Sequence, residues 1–279
     1  MPGGGSLLYF AGIRLGKVRM YEGKLKELEI WFNGYCQTFG SDDEEARRNY
    51  ALKELHTREV SGNIRLLAES AGLSESGVEL AGIIGLLHDV GRFEQYRRHR
   101  TFYDSRSENH AALGVRVIRE NLLLEGLTNE ETDTILQSVA LHNVFQVPSS
   151  ISGAKRLYLN LIRDADKLDI WRVFVDQFTL PAGEQASAAT LGFPDLPECS
   201  PEVLECIGRK EMVNLSLLRT VNDFKLLQVS WVFDLHFPLS FQFARERGDL
   251  SRLAATIPYS AAVERALRVA WDHLASRQA

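Results

Sequence analysis

The sequence predicts an all-α protein, and three observations support this prediction. Apolar residues recur at helical spacing along most of the chain, as at Leu25, Leu28 and Phe32. At several points a serine or threonine stands three residues before a glutamate, which is a pattern typical of helix starts. No segment shows the sustained alternation of apolar and polar residues that a half-buried strand requires.

Start and stop signals then order the helices along the chain. After a first helix near Leu25, Ser41 with Glu44 predicts a second start, and a serine at 76 with a glutamate at 79 predicts a third. Gly91 stands where the third helix is expected to stop. Further helices are predicted over 108–121, from Thr128 to about His142, from Gly153 to before Pro181, over 224–235 and over 262–275.

The chain divides into three parts on this pattern. Residues 1–40 are predicted to form an N-terminal extension with a helix, and 41–181 a helical core. Residues 182–279 are predicted to form a loop and C-terminal helices packed on that core. The loop is expected over 182–200, because periodicity is lost there and prolines occur.

Composition excludes several classes of protein. Apolar residues at 45% and charged residues at 25% are typical of a globular protein. A net charge of −5 argues against long nucleic acid as a partner, because a negatively charged protein surface repels phosphates. The three cysteines form no C-x-x-C motif, which favours a reducing, cytoplasmic setting. No apolar run is long enough to span a bilayer, so no membrane partner is expected; an oligomer is compatible with the sequence.

Candidate metal ligands stand on or near the ends of successive predicted helices. They are His56, His88, Asp89, His110, His142 and Asp166. Apart from the adjacent pair, successive members are separated by about one helix and a connection, so bundled helices can bring them to one point. Imidazoles and carboxylates without thiolates suit Mn, Fe, Co, Ni, Zn or Mg ions rather than a structural zinc. The set exceeds the needs of one ion, which predicts two divalent ions about 3.5–4 Å apart.

The order and context of these residues resemble the HD-domain superfamily of metal-dependent phosphohydrolases. The pattern of that family is a histidine, a His-Asp pair, and an aspartate in an A-D-K/R-L context. It matches KELHTREV around His56, LLHDVGRF around His88 and Asp89, and RDADKLDI around Asp166. The resemblance implies an HD-domain helical bundle over the core, with an additional C-terminal helical segment.

Two further histidines resemble those of the two-metal subgroup of this superfamily: His110 in SENHAALG and His142 in ALHNVF. The resemblance spans about 53–171, and it includes a bacterial group with an HDxGRFEQ segment followed by TFxDxxS. It implies that His56, His88, Asp89 and Asp166 hold one ion, and that Asp89 bridges to a second ion held by the two further histidines. Asp164 is the alternative to Asp166, although the A-D-K-L context favours the latter.

A basic segment follows the His-Asp pair and is predicted to be a loop. Its cations are Arg92, Arg97, Arg98, His99, Arg100 and Arg106. One interpretation is a solvated surface loop neutralised by Glu94, Asp104 and Glu108. The other is an anion-binding rim, in which arginine or lysine side chains hold phosphate oxygens beside the metals. On that second interpretation the candidate substrate-binding residues are Arg92, Lys167 and Arg106.

The remaining polar residues near the pattern have smaller predicted parts. Asp169 and Arg163 flank the last ligand and are candidates for orienting imidazoles, with surface ion pairing as the alternative. His236 and His273 lie outside the pattern and are expected to be structural.

The sequence therefore predicts a hydrolase in which a metal-bridging hydroxide attacks a nucleotide or a small phosphate mono- or diester. Asp89 and Lys167 are the candidate catalytic residues. Two alternatives remain open at this point. The same ligand set occurs in di-iron oxygenases that resemble this superfamily, and a nucleotide-sensing module could bind without turnover.

Overall fold

The computed structural model describes residues 23–180 and 192–277, and every regular element in these ranges is a helix, as predicted. The helices are α1 (23–37), α2 (Glu44–Ser70), α3 (Glu75–Leu87), α4 (Gly91–His99), α5 (His110–Glu120), α6 (Asn129–Leu141), α7 (Gly153–Thr179), α8 (Pro201–Gly208), α9 (Val221–Ser230), α10 (Pro238–Glu246), α11 (Asp249–Ala255) and α12 (Ala261–Ser276). Residues 1–22 of the predicted N-terminal extension, residue 181, 182–191 of the predicted loop and the last two residues lie outside the described ranges.

Helix starts agree with the sequence prediction at one point and differ at two. The Thr128 capping box at the start of α6 is confirmed, with both of its reciprocal hydrogen bonds present. Asp43 caps α2 instead of Ser41, because its carboxylate accepts two backbone N–H groups of the first turn. Ser74 caps α3 instead of Ser76, since its hydroxyl accepts the N–H of the third residue that follows. When two residues that can cap a helix stand close together in the sequence, the sequence alone does not show which of them caps it.

The basic segment after the His-Asp pair is mostly helical, so the prediction of a loop was wrong. It forms α4, whose last turn carries Arg97 and Arg98. Phe93 and Tyr96, one helical turn apart, are both buried on the inner face of α4. Burial of these two side chains anchors the inner face of α4 to the core, and the charged side chains of its outer face remain in solvent.

The C-terminal region also differs in detail from the prediction. A continuous helix was predicted over 224–235, but α9 ends at Ser230 and a 3-10 turn follows over Trp231–Asp234. Three short helices in this region, α8, α10 and α11, were not predicted individually. Residues 192–200 have no regular secondary structure, as predicted.

Two glycines on either side of His88 and Asp89 allow neighbouring helices to pack closely there. A Cβ on Gly85 would lie 2.7 Å from the Cα of Ser61, so α3 packs directly on the backbone of α2. A Cβ on Gly91 would lie 2.5 Å from the amide nitrogen of Gly114, so the start of α4 lies against α5. These contacts bring the end of α3 beside α2 on one side and beside α5 on the other.

Of the C-terminal helices, α10 and α11 pack on α7, which with α2 is the longest helix of the core, whereas α8 and α12 pack on each other. Trp171 of α7 is 1% exposed, and its indole N–H donates to the carbonyl of Gln228 in α9 at 3.1 Å. Asp234 accepts from Arg163 at 2.7 Å and from Lys167 at 2.5 Å, which fixes the 3-10 turn to the same helix. None of the described helices is long and apolar enough to cross a lipid bilayer.

Candidate metal centre

The structure brings the six candidate ligands together from five parts of the chain. They are His56 in α2, His88 and Asp89 after α3, His110 at the start of α5, His142 after α6, and Asp166 in α7. Five of them are buried at 5% exposure or less, and the side chain of Asp166 is 18% exposed. Helix ends supply four of the six, which is where a side chain can turn inward without breaking a helix.

The six side chains form two groups of three. The first holds His56, His88 and Asp166, and the second holds Asp89, His110 and His142. In each group one donor atom per residue lies within 4.8 Å of the others. Within the first group the Nε2 atom of His56 lies 3.1 Å from a carboxylate oxygen of Asp166.

Asp89 lies between the two groups, with one carboxylate oxygen directed to each. Its Oδ2 lies 3.6 Å from Nε2 of His56 and 3.8 Å from Nε2 of His88. Its Oδ1 lies 3.4 Å from Nε2 of His110 and 3.8 Å from Nε2 of His142. One carboxylate can therefore contact an ion in either group.

Several donor atoms at the centre are buried and make no hydrogen bond among the described residues: Nε2 of His56, Nε2 of His88 and Oδ1 of Asp89. Buried polar atoms normally have partners, because losing water without a replacement costs free energy. A divalent ion would satisfy these atoms. Neutral imidazoles and carboxylates are also the donors that such ions take, so the residues fit two metal ions.

The outer nitrogen of each imidazole is held by a fixed acceptor, so Nε2 is directed inward. Nδ1 of His56 contacts the Asp169 carboxylate at 2.6 Å, and Nδ1 of His110 contacts the Asp104 carboxylate at 2.7 Å. Backbone carbonyls accept from Nδ1 of the other two, that of Gly85 for His88 and that of Val139 for His142. Such outer contacts set the tautomer and orientation of ligating histidines.

Burial also sets the protonation states that metal binding requires. It lowers the pKa of His110 to about 4, with the nearby Arg92 acting in the same direction. Burial likewise lowers the pKa of His142 to about 4, with His88 adding to the effect. Burial alone would raise the pKa of the Asp166 carboxyl, but the close imidazole of His56, with those of His88 and His142, outweighs burial and lowers that pKa. His110 and His142 are thus neutral and the carboxylate is ionised near pH 7, whereas the carboxylates of Asp166 and Asp169 raise the pKa of His56 despite its burial.

Two cations stand beside Asp89, and sequence reasoning identified only one of them. The Arg92 Nε atom lies 3.4 Å from Oδ1, and its NH1 group donates to the Phe102 carbonyl and the Asp104 carboxylate. Lys53 was missed: its ammonium donates to Oδ2 of Asp89 at 2.8 Å. Its position three residues before His56 in α2 places it on the same helix face, which is a signal that the sequence did contain.

The other predicted residues occupy different positions. Lys167 borders the site, but its ammonium is paired with Asp234. Arg106 is exposed and stacks over the Tyr103 ring, outside the lining of the cavity. Asp164 is fully buried and accepts the backbone N–H of His236 at 2.8 Å, so it is not part of either ligand group.

Most of the remaining charges of the basic segment are neutralised nearby. Arg97 and Arg98 contact Glu94, and Arg100 contacts Asp43. His273, which the sequence placed outside the site, packs edge-on against Phe233. The interpretation of this segment as a solvated, self-neutralised surface therefore describes the outer face of α4.

A cavity of about 500 Å³ opens on the metal centre. Donors of both ligand groups line one part of it, together with Lys53, Arg92 and Asn143. The rest is lined mainly by apolar side chains of α7, of the segment 212–215 and of α9. Its size is within the range of small-molecule sites.

The comparison with known protein families agrees with this geometry. Residues 55–171 match the HD domain. The matched segment of the HD domain contains all six candidate ligands, from His56 to Asp166, together with Arg92 and Asp104. It covers less than half of the chain, and the C-terminal helices lie outside it. No curated protein and no solved structure matches the chain. Proteins with an HD domain are generally metal-dependent hydrolases.

Proposed function

We propose that this protein is a metal-dependent phosphohydrolase that acts on a small phosphate ester, with nucleotides among the candidate substrates. The observation that carries the proposal is the position of Asp89, whose two carboxylate oxygens face two separate groups of metal-binding side chains. Two divalent ions held there would activate a water molecule and neutralise charge on the phosphoryl group.

The side chains around Asp89 supply the other requirements of phosphoryl transfer. Lys53 and Arg92 carry positive charge at the edge of the centre, on the side where the cavity opens. Both can hold phosphate oxygens, Arg92 through its Nε group, which makes no hydrogen bond among the described residues. Their placement orients the ester and favours the more negative transition state.

The contacts of the other cations refine the predicted assignments. We assign phosphate binding to Lys53 and Arg92 rather than to Arg106, which is exposed and outside the cavity lining. Lys167 lines the cavity, and its pairing with Asp234 gives it a direct part in holding the C-terminal segment to α7. We retain it as a weaker candidate for contact with the substrate.

The setting that we propose is a reducing one, in the cytoplasm. Cys36, Cys199 and Cys206 are all free thiols. Burial raises the pKa of Cys36 to about 12, so this thiol is not reactive near pH 7. The HDxGRFEQ-type bacterial subgroup remains part of the same proposal; this segment runs from His88 into the first turns of α4.

The test is a screen of nucleotides and phosphodiesters with Mn, Fe, Ni or Mg, with product identity and phosphate release as the readouts. In the same assay Asp89→Ala should lose both metal ions and turnover. The loss should exceed the roughly 10–100-fold effect of removing an outer partner of a ligand. Helix content, measured by circular dichroism, should be retained, and the control His273→Ala should keep metal and turnover.

Three results would contradict the proposal in different ways. Full activity of Asp89→Ala would falsify the two-ion centre. Dioxygen consumption by the iron-loaded protein without phosphate release would replace the hydrolase with an oxygenase. A nucleotide-dependent rise in melting temperature without any product would indicate a sensing module.

A further inference from the structure

The cavity at the metal centre continues into a part that we name the apolar chamber. It is lined by Ile170, Phe174, Met212, Leu215, Leu227 and Trp231. Ile170 and Phe174 follow Asp166 in α7 at four-residue spacing, so they lie on the same helix face. At 1.5 Å per residue, the chamber extends about 12 Å along α7 from this ligand.

The chamber has firm walls from two parts of the fold. Phe174 of α7 and Phe224 of α9 pack edge to face, with ring centroids 5.1 Å apart. Leu227 is 6% exposed, whereas Leu215 is 38% exposed and stands at a more open edge. The wall that faces α7 is formed by residues of 212–231, which lie outside the segment that matches the HD domain.

Several polar groups near the chamber are already engaged by other residues that the structure describes. The Asn214 carboxamide oxygen accepts from the backbone N–H and from the hydroxyl of Ser216. Arg163 and Lys167 are paired with Asp234. A nucleobase presents several donors and acceptors, and a mainly apolar lining offers few partners for them, so burying a nucleobase here would cost free energy. A hydrocarbon group carries no such cost.

We infer that the substrate is a phosphate monoester of an apolar alcohol, with its hydrocarbon group in the apolar chamber and its phosphate at the metal centre. This inference rests on the proposed function and narrows its substrate class. In the reaction water adds to phosphorus, the ester P–O bond breaks, and the departing oxygen takes a proton derived from that water. The products are an alcohol and inorganic phosphate, and no oxidant or further reactant is needed.

The first experiment measures kcat/KM of the full-length, Mn-loaded protein for methyl, butyl, hexyl and octyl phosphate and for adenosine monophosphate. Each buried methylene should raise kcat/KM about fourfold, which corresponds to about 0.8 kcal/mol, until the chamber is filled. Adenosine monophosphate should be turned over no better than butyl phosphate. If methyl phosphate is hydrolysed but chain length has no effect, the inference is overturned while the proposed function stands.

Variants connect the chain-length effect to the chamber. Leu215→Ser should reduce the increase in kcat/KM per methylene, because it places a hydroxyl at the chamber wall. The matched control is Leu196→Ser, since Leu196 is 48% exposed and does not line the cavity. This control should keep the full chain-length effect. An unchanged effect in Leu215→Ser would count against the chamber as the site of the hydrocarbon group.

A binding experiment separates this inference from the hydrolase proposal. Octylphosphonate has a P–C bond that cannot be hydrolysed in this way, and Trp231 lines the chamber. Octylphosphonate should change the tryptophan fluorescence saturably, methylphosphonate should not, and Trp231→Phe should remove the response. This result without hydrolysis of any ester would refute the proposed function and support the apolar chamber. No response to octylphosphonate would refute the chamber.

Discussion

The contact between His56 and Asp169 allows a quantitative test of the metal centre. The Asp169 carboxylate is 2% exposed and lies 2.6 Å from Nδ1 of His56, whose Nε2 is directed at the first ligand group. Asp169→Asn keeps the shape and one acceptor oxygen but removes the negative charge. The imidazole of His56 then becomes a poorer donor to the metal, and its tautomer is less firmly fixed.

The expected magnitude follows from the kind of bond that is changed. A hydrogen bond to a charged group contributes about 1.5–3 kcal/mol, and outer partners of ligating histidines typically change metal affinity 10–100-fold. Since tenfold equals about 1.4 kcal/mol, the two figures agree. We therefore expect Asp169→Asn to weaken binding of the Mn ion at the group that contains His56 by about 10–100-fold.

The assay is a calorimetric titration of the metal-free protein, with Asp176→Asn as the matched control. Asp169 and Asp176 both contact Arg172, but Asp176 is 52% exposed and is not among the contacts of His56. The control should therefore bind metal as the unchanged protein does. Equal affinities of the two variants would refute the proposed orienting part of Asp169.

Two further predictions concern the metal-free protein. The melting temperature of the metal-free protein should decrease as the pH is lowered from 6.5 to about 4. In this range buried His110 and His142, each with a pKa lowered to about 4, take up protons only on unfolding. His142→Gln should make the melting temperature less dependent on pH. Gly91→Ala should destabilise the fold by about 1–3 kcal/mol through the contact with α5, whereas Gly62→Ala, with nothing within 4 Å, should stabilise it by up to about 1 kcal/mol in thermal melting. Equal responses of the two glycine variants would contradict the close approach.

The sequence was informative about the candidate ligands because few residue types bind divalent ions. His88 and Asp89 stand out in an apolar run, where an unpartnered polar pair is costly. Their spacing from the other candidates, about one helix each time, is a local property of the chain. Helical periodicity is local as well, so the all-α class was predicted correctly.

The sequence was less informative about which charges meet. Lys53 and Asp89 are 36 residues apart and Lys167 and Asp234 are 67 apart, and nothing in their spacing pairs them. Among the basic residues, closeness in sequence to a proposed ligand favoured Arg92 and Lys167 over Arg106, but it could not show which side chain faces the substrate. The folded chain shows that Arg92 faces the cavity and that Arg106 does not line it.

By itself, then, the sequence determined the helical class, most of the long helices and the set of candidate ligands, because each depends on residue type and on short-range period. The tertiary structure decided that Asp89 stands between two ligand groups, that the Lys53 ammonium contacts Asp89, and that an apolar chamber adjoins the centre. The first two features depend on how the helices of the core pack together, and the chamber also depends on how α9 and the residues around it pack on α7. Packing joins side chains that are distant in sequence, and no local pattern records that pairing.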